Sequence, residues 1–351
     1  MIPVNIVTGF LGSGKTTLLK EILTRPEFSD TAVIVNEFGE IGLDHILLEE
    51  VEEGILLLQS GCVCCTIRSD LQETIRGLQK KVGEGLIPEF RRLIIETTGI
   101  ADPAPVVSTI SSEPVINKHF YIGNIICTID SVAGISTLST APEAAKQVAV
   151  ADRILVTKTD MVTADMMVPL QDRLLELNPS ASHRKSTGRN FDAKHLFLDE
   201  FRDAATGTDE ALAMLERNGN VADMQEKELS VSPHMIKSFC LESSAPIDWI
   251  AFGVWLTATL HVHGEKILRV KGILDVYESS TPVFINGVQH TMHPPIHLDR
   301  WPDKRRSSQI VFITRGLSEE LIRKSLELFL GMSIAGAHTD FALNTFEWSS
   351  R

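Results

Sequence analysis

The sequence lacks the features of membrane-spanning, secreted and nucleic-acid-binding proteins. No apolar run approaches the length of a membrane-spanning helix, and the apolar N-terminus has neither a basic leader nor a cleavage site. Acidic residues outnumber basic ones by 46 to 33, and the resulting formal charge of −13 repels nucleic acids and anionic membranes. We therefore expect a cytoplasmic protein with no nucleic-acid partner and no membrane partner.

Cysteine is also scarce. The chain has five cysteines, and three of them, Cys62, Cys64 and Cys65, lie in one short segment. This distribution does not resemble a disulfide framework and suits a reducing compartment. The sequence shows no internal repeat and no low-complexity tract. Its 351 residues suggest two globular domains, each large enough to bury a core.

Apolar, β-branched runs alternate with segments of helical periodicity in the first half of the chain. The predicted strands are 2–7, 32–36, 92–96, 125–130 and 153–157, and the predicted helices are 17–23, 68–82 and 163–177. Because these strands are apolar enough to be buried on both faces, they predict a doubly wound, mostly parallel α/β sheet. Ligands of such sheets bind at the carboxyl ends of the strands.

The second half of the chain has a different pattern. A polar, acidic stretch from about 183 to 231 predicts a connector with one short helix. Beyond it we predict strands near 235–242, 266–275, 282–286 and 308–314, with helices near 246–260 and 318–330. We therefore expect a nucleotide domain at 1–200, an acidic connector at 201–232 and a smaller α+β domain at 233–351.

One segment fits the phosphate-binding pattern G-x-x-x-x-G-K-[ST], between a predicted strand and a predicted helix. Glycines let backbone N–H groups point into one concavity, and the helix N-terminus adds partial positive charge. We expect Lys15 to reach the β- and γ-phosphates and Thr16 to ligate Mg²⁺. The residues predicted to bind nucleotide here are Gly9, Gly12, Ser13, Gly14, Lys15, Thr16 and Thr17. The alternative is a chance glycine turn.

A second motif closes the strand predicted at 92–96. Glu96 is the acid expected to hold Mg²⁺ through water, and Gly99 can bring its backbone N–H to the γ-phosphate because it has no side chain. We predict a catalytic role for both residues, together with Lys15 and Thr16. An ordinary transition from strand to loop is the alternative.

A third motif, Thr157 to Asp160, follows the strand predicted at 153–157, where nucleotide-specific proteins of this architecture keep N-K-x-D. The Asp160 carboxylate can accept from both donors on the Watson–Crick edge of guanine, whereas adenine presents an acceptor there. Thr157, Lys158 and Asp160 therefore predict guanine binding, although Thr157 lacks the amide of the usual asparagine. An ordinary charged turn is the alternative.

The cysteine segment predicts a transition-metal site. Thiolates favour Zn²⁺ or Cu⁺, and Cys62, Cys64 and Cys65 can reach one ion from a single loop. Three sulfurs leave one coordination position open, which suits transfer of a metal. Glu37 and Glu40, after the strand at 32–36, can complete this site, contact Mg²⁺ or orient water. Inert packing and a redox pair are the alternatives for the cysteines, and a solvated acidic loop is the alternative for the glutamates.

The remaining candidates carry little information. Neither the pair His261 and His263 nor the group His290, His293 and His297 has a decisive spacing for metal binding. Cys127 and Cys240 lie in apolar strands and are predicted to be core residues.

These motifs together resemble the CobW-type metallochaperone GTPases, relatives of the nickel-insertion GTPases of urease and hydrogenase maturation. The resemblance rests on the segments 9–17, 36–40, 61–65, 96–103 and 157–160, and in the second half on 264–272 and 301–317. It implies a P-loop GTPase domain, a CobW-like C-terminal domain and slow GTP hydrolysis. It also implies delivery of zinc, or of cobalt or nickel, to a client protein. By this resemblance the metal ligands fall on Cys62, Cys64 and Cys65, with Glu40 as a weaker candidate.

The resemblance suggests a mechanism. We hypothesise that GTP with Mg²⁺ orders the segments 36–40 and 96–99, which flank the cysteine segment, so that the nucleotide sets the geometry of the metal site. A metal sensor or buffer that uses GTP only as a structural ligand is one alternative, and an ATP-using kinase or synthetase is another. The sequence does not specify the client, the physiological metal or the oligomeric state, and a homo-oligomer is among the options.

Overall fold

The structure is a computed structural model that describes residues 1–35, 56–59, 67–186, 191–197, 211, 213–214, 235–301 and 306–336. In this part of the chain no helix is long and apolar enough to cross a membrane. The connector predicted at 201–232 lies almost entirely outside the described residues. Ala211 and Met214, which belong to it, are buried against the C-terminal residues Ile273, Phe284 and Leu298.

The N-terminal half is a parallel sheet with helices around it. Its strands are β1 (Ile2–Thr8), β2 (Thr31–Val35), β3 (Leu56–Gln59), β4 (Arg92–Glu96), β5 (Phe120–Asp130), β6 (Arg153–Thr157) and β7 (Ser182–Lys185). Its helices are α1 (Lys15–Leu23), α2 (Ile67–Gly83), α3 (Ala104–Ser112), α4 (Pro114–His119), α5 (Gly134–Thr140), α6 (Pro142–Val150), α7 (Ala164–Leu177) and α8 (Ala193–Phe197). The strand order is β3-β2-β4-β1-β5-β6-β7, and every pair is parallel. The predicted doubly wound α/β fold is confirmed.

The C-terminal half is an antiparallel sheet with two helices. Its elements are β8 (Ile236–Ser243), α9 (Trp249–His263), β9 (Ile267–Leu274), β10 (Val283–Val288), β11 (Thr291–Met292), β12 (Ile296–His297), β13 (Ser308–Arg315), α10 (Glu319–Leu330) and β14 (Ala335–Gly336). One sheet face packs against α9 and α10 through Phe239, Trp255 and Phe312. The predicted smaller α+β domain is confirmed.

The other face of this sheet packs on the N-terminal half. Cys240, Leu268 and Val311 share one hydrophobic cluster with Ala149 and Val150 at the end of α6. Alternation along β8 explains the two faces, because Phe239 and Leu241 face the helices and Cys240 faces the other side. The cluster therefore fixes α6 between the parallel sheet and the C-terminal sheet.

The centre of the parallel sheet carries the site. β1 lies between β4 and β5, and the predicted phosphate, acid and glycine motifs all follow β1 or β4. Because the strands run parallel, their carboxyl ends meet at one edge, which brings residues 9–16, 96–99 and 128–130 together.

Candidate nucleotide site

The loop between β1 and α1 has the backbone shape of a phosphate cradle. Gly9, Gly12 and Gly14 have φ values of 140°, 73° and 97°, a region that only glycine adopts readily. Gly14 precedes the first residue of α1 and has no side chain to cap it, so the first N–H groups of the helix face the loop. The loop therefore combines glycines, whose backbone can adopt positive φ values, with the positive end of a helix. Both features favour the binding of an anion.

Lys15 lies inside this loop. Its Nζ donates to the carbonyl oxygens of Gly9, at 2.8 Å, and Phe10, at 3.3 Å. The side chain is 8% exposed, so its charge acts in a medium of low dielectric. The ammonium group of Lys15 therefore lies within the loop where the sequence predicts a phosphate-binding cation.

Thr16 and Glu96 meet at the floor of the site. Thr16 Oγ1 donates to Glu96 Oε1 at 3.2 Å, and Glu96, at the end of β4, is 5% exposed. A hydroxyl and a carboxylate side by side are the hard oxygen donors that suit Mg²⁺. The residues present therefore fit the ion that the sequence motif implies.

Gly99 packs directly on the phosphate loop. A Cβ atom at this glycine would lie 2.7 Å from Leu11 N and 2.6 Å from Leu11 Cδ2, so only glycine fits. Thr97, at the start of the same loop, donates its N–H to Val7 O and its hydroxyl to Thr8 Oγ1, both at 2.9 Å. The structure thus brings the two motifs into contact.

The Thr157 segment contacts the phosphate loop from the other side. Thr157 is buried, and its hydroxyl donates to Ser13 O at 2.8 Å and to Ile129 O at 3.2 Å. Its methyl carbon would approach a Cβ at Gly14 within 3.3 Å. The side chain of Thr157 therefore supports the loop. Asp160, in the turn Thr159–Met161, is exposed to solvent.

Lys158 is held by an acid that the sequence analysis did not single out. Lys158 Nζ donates to Asp130 Oδ2 at 2.5 Å, and Lys158 has a φ of 55°. Asp130 ends β5, and its other oxygen accepts from Val132 N at 2.7 Å. The position of Asp130 at a strand's carboxyl end was the signal that could have identified it.

Thr128 is a second residue that the sequence did not reveal. Its hydroxyl pairs with Ser13 Oγ at 2.7 Å, and its carbonyl would lie 2.4 Å from a Cβ at Gly9. Ser13, predicted to bind nucleotide, therefore directs its side chain to β5. A threonine within a strand gives no signal of this kind, because it is an ordinary strand residue.

Cys127 precedes Thr128 and is buried in β5. Burial raises the pKa of its thiol to about 12, although the charge of Lys15 acts in the opposite direction. The thiol is therefore protonated at neutral pH and is a poor nucleophile.

The predicted transition-metal ligands, Cys62, Cys64, Cys65 and Glu40, lie outside the described residues, as does Glu37. Among the residues that the structure does describe, no three His, Cys, Asp or Glu side chains form a group that could hold a metal ion. The candidates His261, His263, His290, His293 and His297 thus form no three-ligand site within those residues.

Comparison with known proteins agrees with this geometry. Residues 3–184 match the family described as CobW/HypB/UreG, nucleotide-binding domain, and residues 236–330 match the cobalamin synthesis protein cobW C-terminal domain. The zinc chaperone YjiA of Escherichia coli is 32% identical over 332 residues, which cover 92% of this chain and 96% of that protein. The zinc-regulated GTPase metalloprotein activator 1 of Schizosaccharomyces pombe is 27% identical over 310 residues, which cover 81% of this chain and 74% of that protein.

A solved structure shows the same arrangement of both halves. The crystal structure of Zn(II)-bound YjiA GTPase from E. coli has a TM-score of 0.69 and 27% identity, and the match covers 93% of this chain and 98% of that one. The match therefore extends across the parallel and the antiparallel sheets. This chain belongs to the CobW/HypB/UreG family and carries the cobW C-terminal domain.

Proposed function

We propose that this protein is a GTP-hydrolysing metallochaperone that binds zinc at Cys62, Cys64 and Cys65 and delivers it to a client protein. The observation that carries the proposal is the glycine loop after β1, with the Thr16 hydroxyl 3.2 Å from Glu96 at its floor. Membership of the family and the similarity to a zinc chaperone and to a zinc-regulated GTPase activator support the choice of GTP and zinc. The cytoplasmic location of the protein stays a prediction from the sequence.

In the proposed reaction the chain binds and orients the nucleotide. Lys15 and the first N–H groups of α1 hold the β- and γ-phosphates, and the backbone at Gly99 contacts the γ-phosphate. Thr16 would hold Mg²⁺ directly and Glu96 through water. The ion would neutralise charge that develops on the phosphates.

Turnover without a client is proposed to be slow. The segments 9–16, 36–40, 96–99 and 157–160 contain no arginine and no glutamine. Proteins of this class use such residues to stabilise the transition state or to orient water, and an arginine supplied by a partner accelerates hydrolysis by about 10³–10⁵. We propose that the client binds the C-terminal domain, which carries none of the nucleotide motifs.

The nucleotide is proposed to be GTP because of Asp160. This carboxylate lies beyond β6 at the same sheet edge as the phosphate loop, and it is exposed and available to a base. Competition of ATP against labelled GTP tests the assignment. Displacement of GTP by ATP at equal concentration would contradict it and would favour an ATP-using kinase or synthetase.

The decisive experiment measures zinc affinity with a GTP analogue and with GDP. We expect the two affinities to differ in the wild type, because the segments at 36–40 and 96–99 flank the cysteines and order around the γ-phosphate. By linkage, zinc must change the ratio of the affinities for the GTP analogue and for GDP by the same factor. Cys64→Ser should weaken zinc binding in both nucleotide states.

The matched control is Cys240→Ala, which removes a buried thiol of β8 in the C-terminal sheet. It should leave zinc binding unchanged. Equal zinc affinity in both nucleotide states would contradict nucleotide-dependent delivery. It would favour the alternative of a metal sensor or buffer that uses GTP only as a structural ligand. Tighter binding of cobalt or nickel than of zinc would instead indicate that one of these metals is the one delivered.

A further inference from the structure

Gln147, on α6, holds the loop that follows β4. Its Nε2 donates to Gly99 O at 3.1 Å and to Ala101 O at 3.0 Å, and the side chain is 1% exposed. Two carbonyl oxygens require a donor, so the amide nitrogen must face the loop. Gln147 Oε1 has no hydrogen-bond partner among the described residues, so the contacts of this side chain are directed to the loop.

These two hydrogen bonds fix the peptide groups that follow Gly99, the residue whose own N–H is proposed to contact the γ-phosphate. The C=O and N–H groups of a planar trans peptide point in opposite directions. Holding the carbonyls of Gly99 and Ala101 towards α6 therefore turns the N–H groups of Ile100 and Asp102 away from α6. The loop that is oriented in this way is the one that packs on Leu11 of the phosphate loop.

A second contact from α6 holds the end of the same loop. Lys146, next to Gln147, donates to Asp102 Oδ2 at 2.5 Å, and both side chains are less than one-third exposed. Gln289, in the turn between β10 and β11, also donates to Asp102 Oδ2, at 3.5 Å. The loop is therefore tied at three of its residues to elements outside the nucleotide motifs.

We propose that Gln147 is a positioning residue for the γ-phosphate of GTP, acting through the backbone of the Gly99 loop. The inference rests on the proposed function. GDP lacks the γ-phosphate, so a loop that is no longer oriented should weaken GTP binding and leave GDP binding unchanged. A purely structural role would change both affinities together.

The test compares wild type with Gln147→Met, which keeps the length of the side chain and removes both hydrogen bonds. We expect affinity for a non-hydrolysable GTP analogue to fall about tenfold, which corresponds to about 1.4 kcal/mol. GDP affinity should stay within about twofold, which corresponds to about 0.4 kcal/mol. Gln147→Asn, one methylene shorter, should show the same selective loss and provides a second variant if Gln147→Met is unstable.

Asn178 supplies the matched control. Asn178 follows the last residue of α7, and its Nδ2 donates to Val148 O, Ala149 O and Ala151 O at 2.8–3.1 Å. It is therefore a buried amide that holds the C-terminal end of α6 and has no hydrogen bond to the Gly99 loop among the described residues. Asn178→Leu should lower stability and leave the ratio of GTP-analogue to GDP affinity at the wild-type value.

The outcomes separate the inference from the proposed function. An unchanged affinity ratio in both Gln147 variants, in a protein that binds and hydrolyses GTP, would overturn only the inference. A wild-type protein that binds neither guanine nucleotide would overturn both.

Discussion

At the scale of single residues, Gly9 shows how one missing atom shapes the site. A Cβ here would lie 2.4 Å from Thr128 O and 2.7 Å from Ser13 Oγ, distances that real Cβ atoms do not adopt. The φ of 140° would be strained for any other residue. A side chain at position 9 would therefore introduce both steric overlap and backbone strain into the loop that precedes Lys15.

We therefore expect Gly9→Ala to abolish the phosphate site. Backbone strain of about 1–3 kcal/mol adds to the steric overlap, so GTP affinity should fall at least about tenfold in calorimetry. Gly85→Ala is the control, because Gly85 also has a positive φ, +69°, but no atom lies within 4 Å of the added carbon. It should cost stability without changing GTP affinity. Equal effects of the two variants on GTP binding would contradict the steric account.

The sequence predicted the phosphate loop because its pattern is local. Gly9 to Thr16 encode a turn, a cation and a hydroxyl within eight residues, and the structure places all of them in the loop after β1 and the first turn of α1. The contacts of Thr157 with Ser13, and of Gln147 with Gly99, join residues 144 and 48 positions apart. No local pattern identifies such partners, since a buried amide on a helix resembles any other core position.

At the scale of elements, most of the apolar strands were predicted, but the apolar strand β3 (Leu56–Gln59) and the polar strand β7 were not. β7 consists of Ser182, His183, Arg184 and Lys185, which read as connector, yet it pairs with β6 at the sheet edge. β5 begins at Phe120 rather than 125 because Asn5 Oδ1 accepts from Asn124 N at 2.9 Å across a register shift. A buried side chain there replaces a ladder hydrogen bond, which strand propensity does not reveal.

Burial within strands also sets the chemistry of two thiols. Cys127 in β5 and Cys240 in β8 each have a pKa raised to about 12, chiefly because burial disfavours the thiolate. We expect both thiols to resist iodoacetamide in the folded protein at pH 7–9 and to react after unfolding, as read by mass spectrometry of peptides. The reason is that only the thiolate is nucleophilic.

A thiol on the surface would behave differently. Ile250→Cys on α9, at a position that is 76% exposed, is the control and should react in the folded state. Modification of Cys127 or Cys240 at the same rate as this control would show that the strands open readily.

At the scale of the whole molecule, a buried ion pair joins the two sheets. Arg269 of β9 is fully buried and donates to Asp152, which precedes β6, and to Val150 O at the end of α6. Burial opposes ionisation of Asp152, but Arg269, Lys271 and the Ile125 N–H outweigh it and lower the pKa of the carboxyl. The carboxylate therefore stays charged at neutral pH between the halves.

Removal of that charge should destabilise the whole chain. We expect Asp152→Asn to lose about 3–5 kcal/mol of unfolding free energy at pH 7, because it leaves Arg269 buried without its carboxylate. A lowered folded pKa stabilises above the unfolded value of about 3.9, and that stabilisation disappears as pH falls through the folded pKa. The difference between wild type and variant in denaturant titrations should therefore shrink below about pH 4.

Asp172→Asn, at an exposed carboxylate on α7, provides the comparison and should change stability by less than about 0.5 kcal/mol. A loss in Asp152→Asn no larger than this, or one that is constant from pH 7 to pH 3, would contradict the role of the ion pair.

The hydrophobic cluster shared by Val150, Leu268 and Val311 has a practical consequence for work on fragments. Expression of the chain as two fragments divided between β7 and β8 would expose, on each fragment, an apolar surface that is buried in the intact chain. Either fragment would tend to precipitate or to seek its missing half, and co-expression of the two should restore a soluble pair.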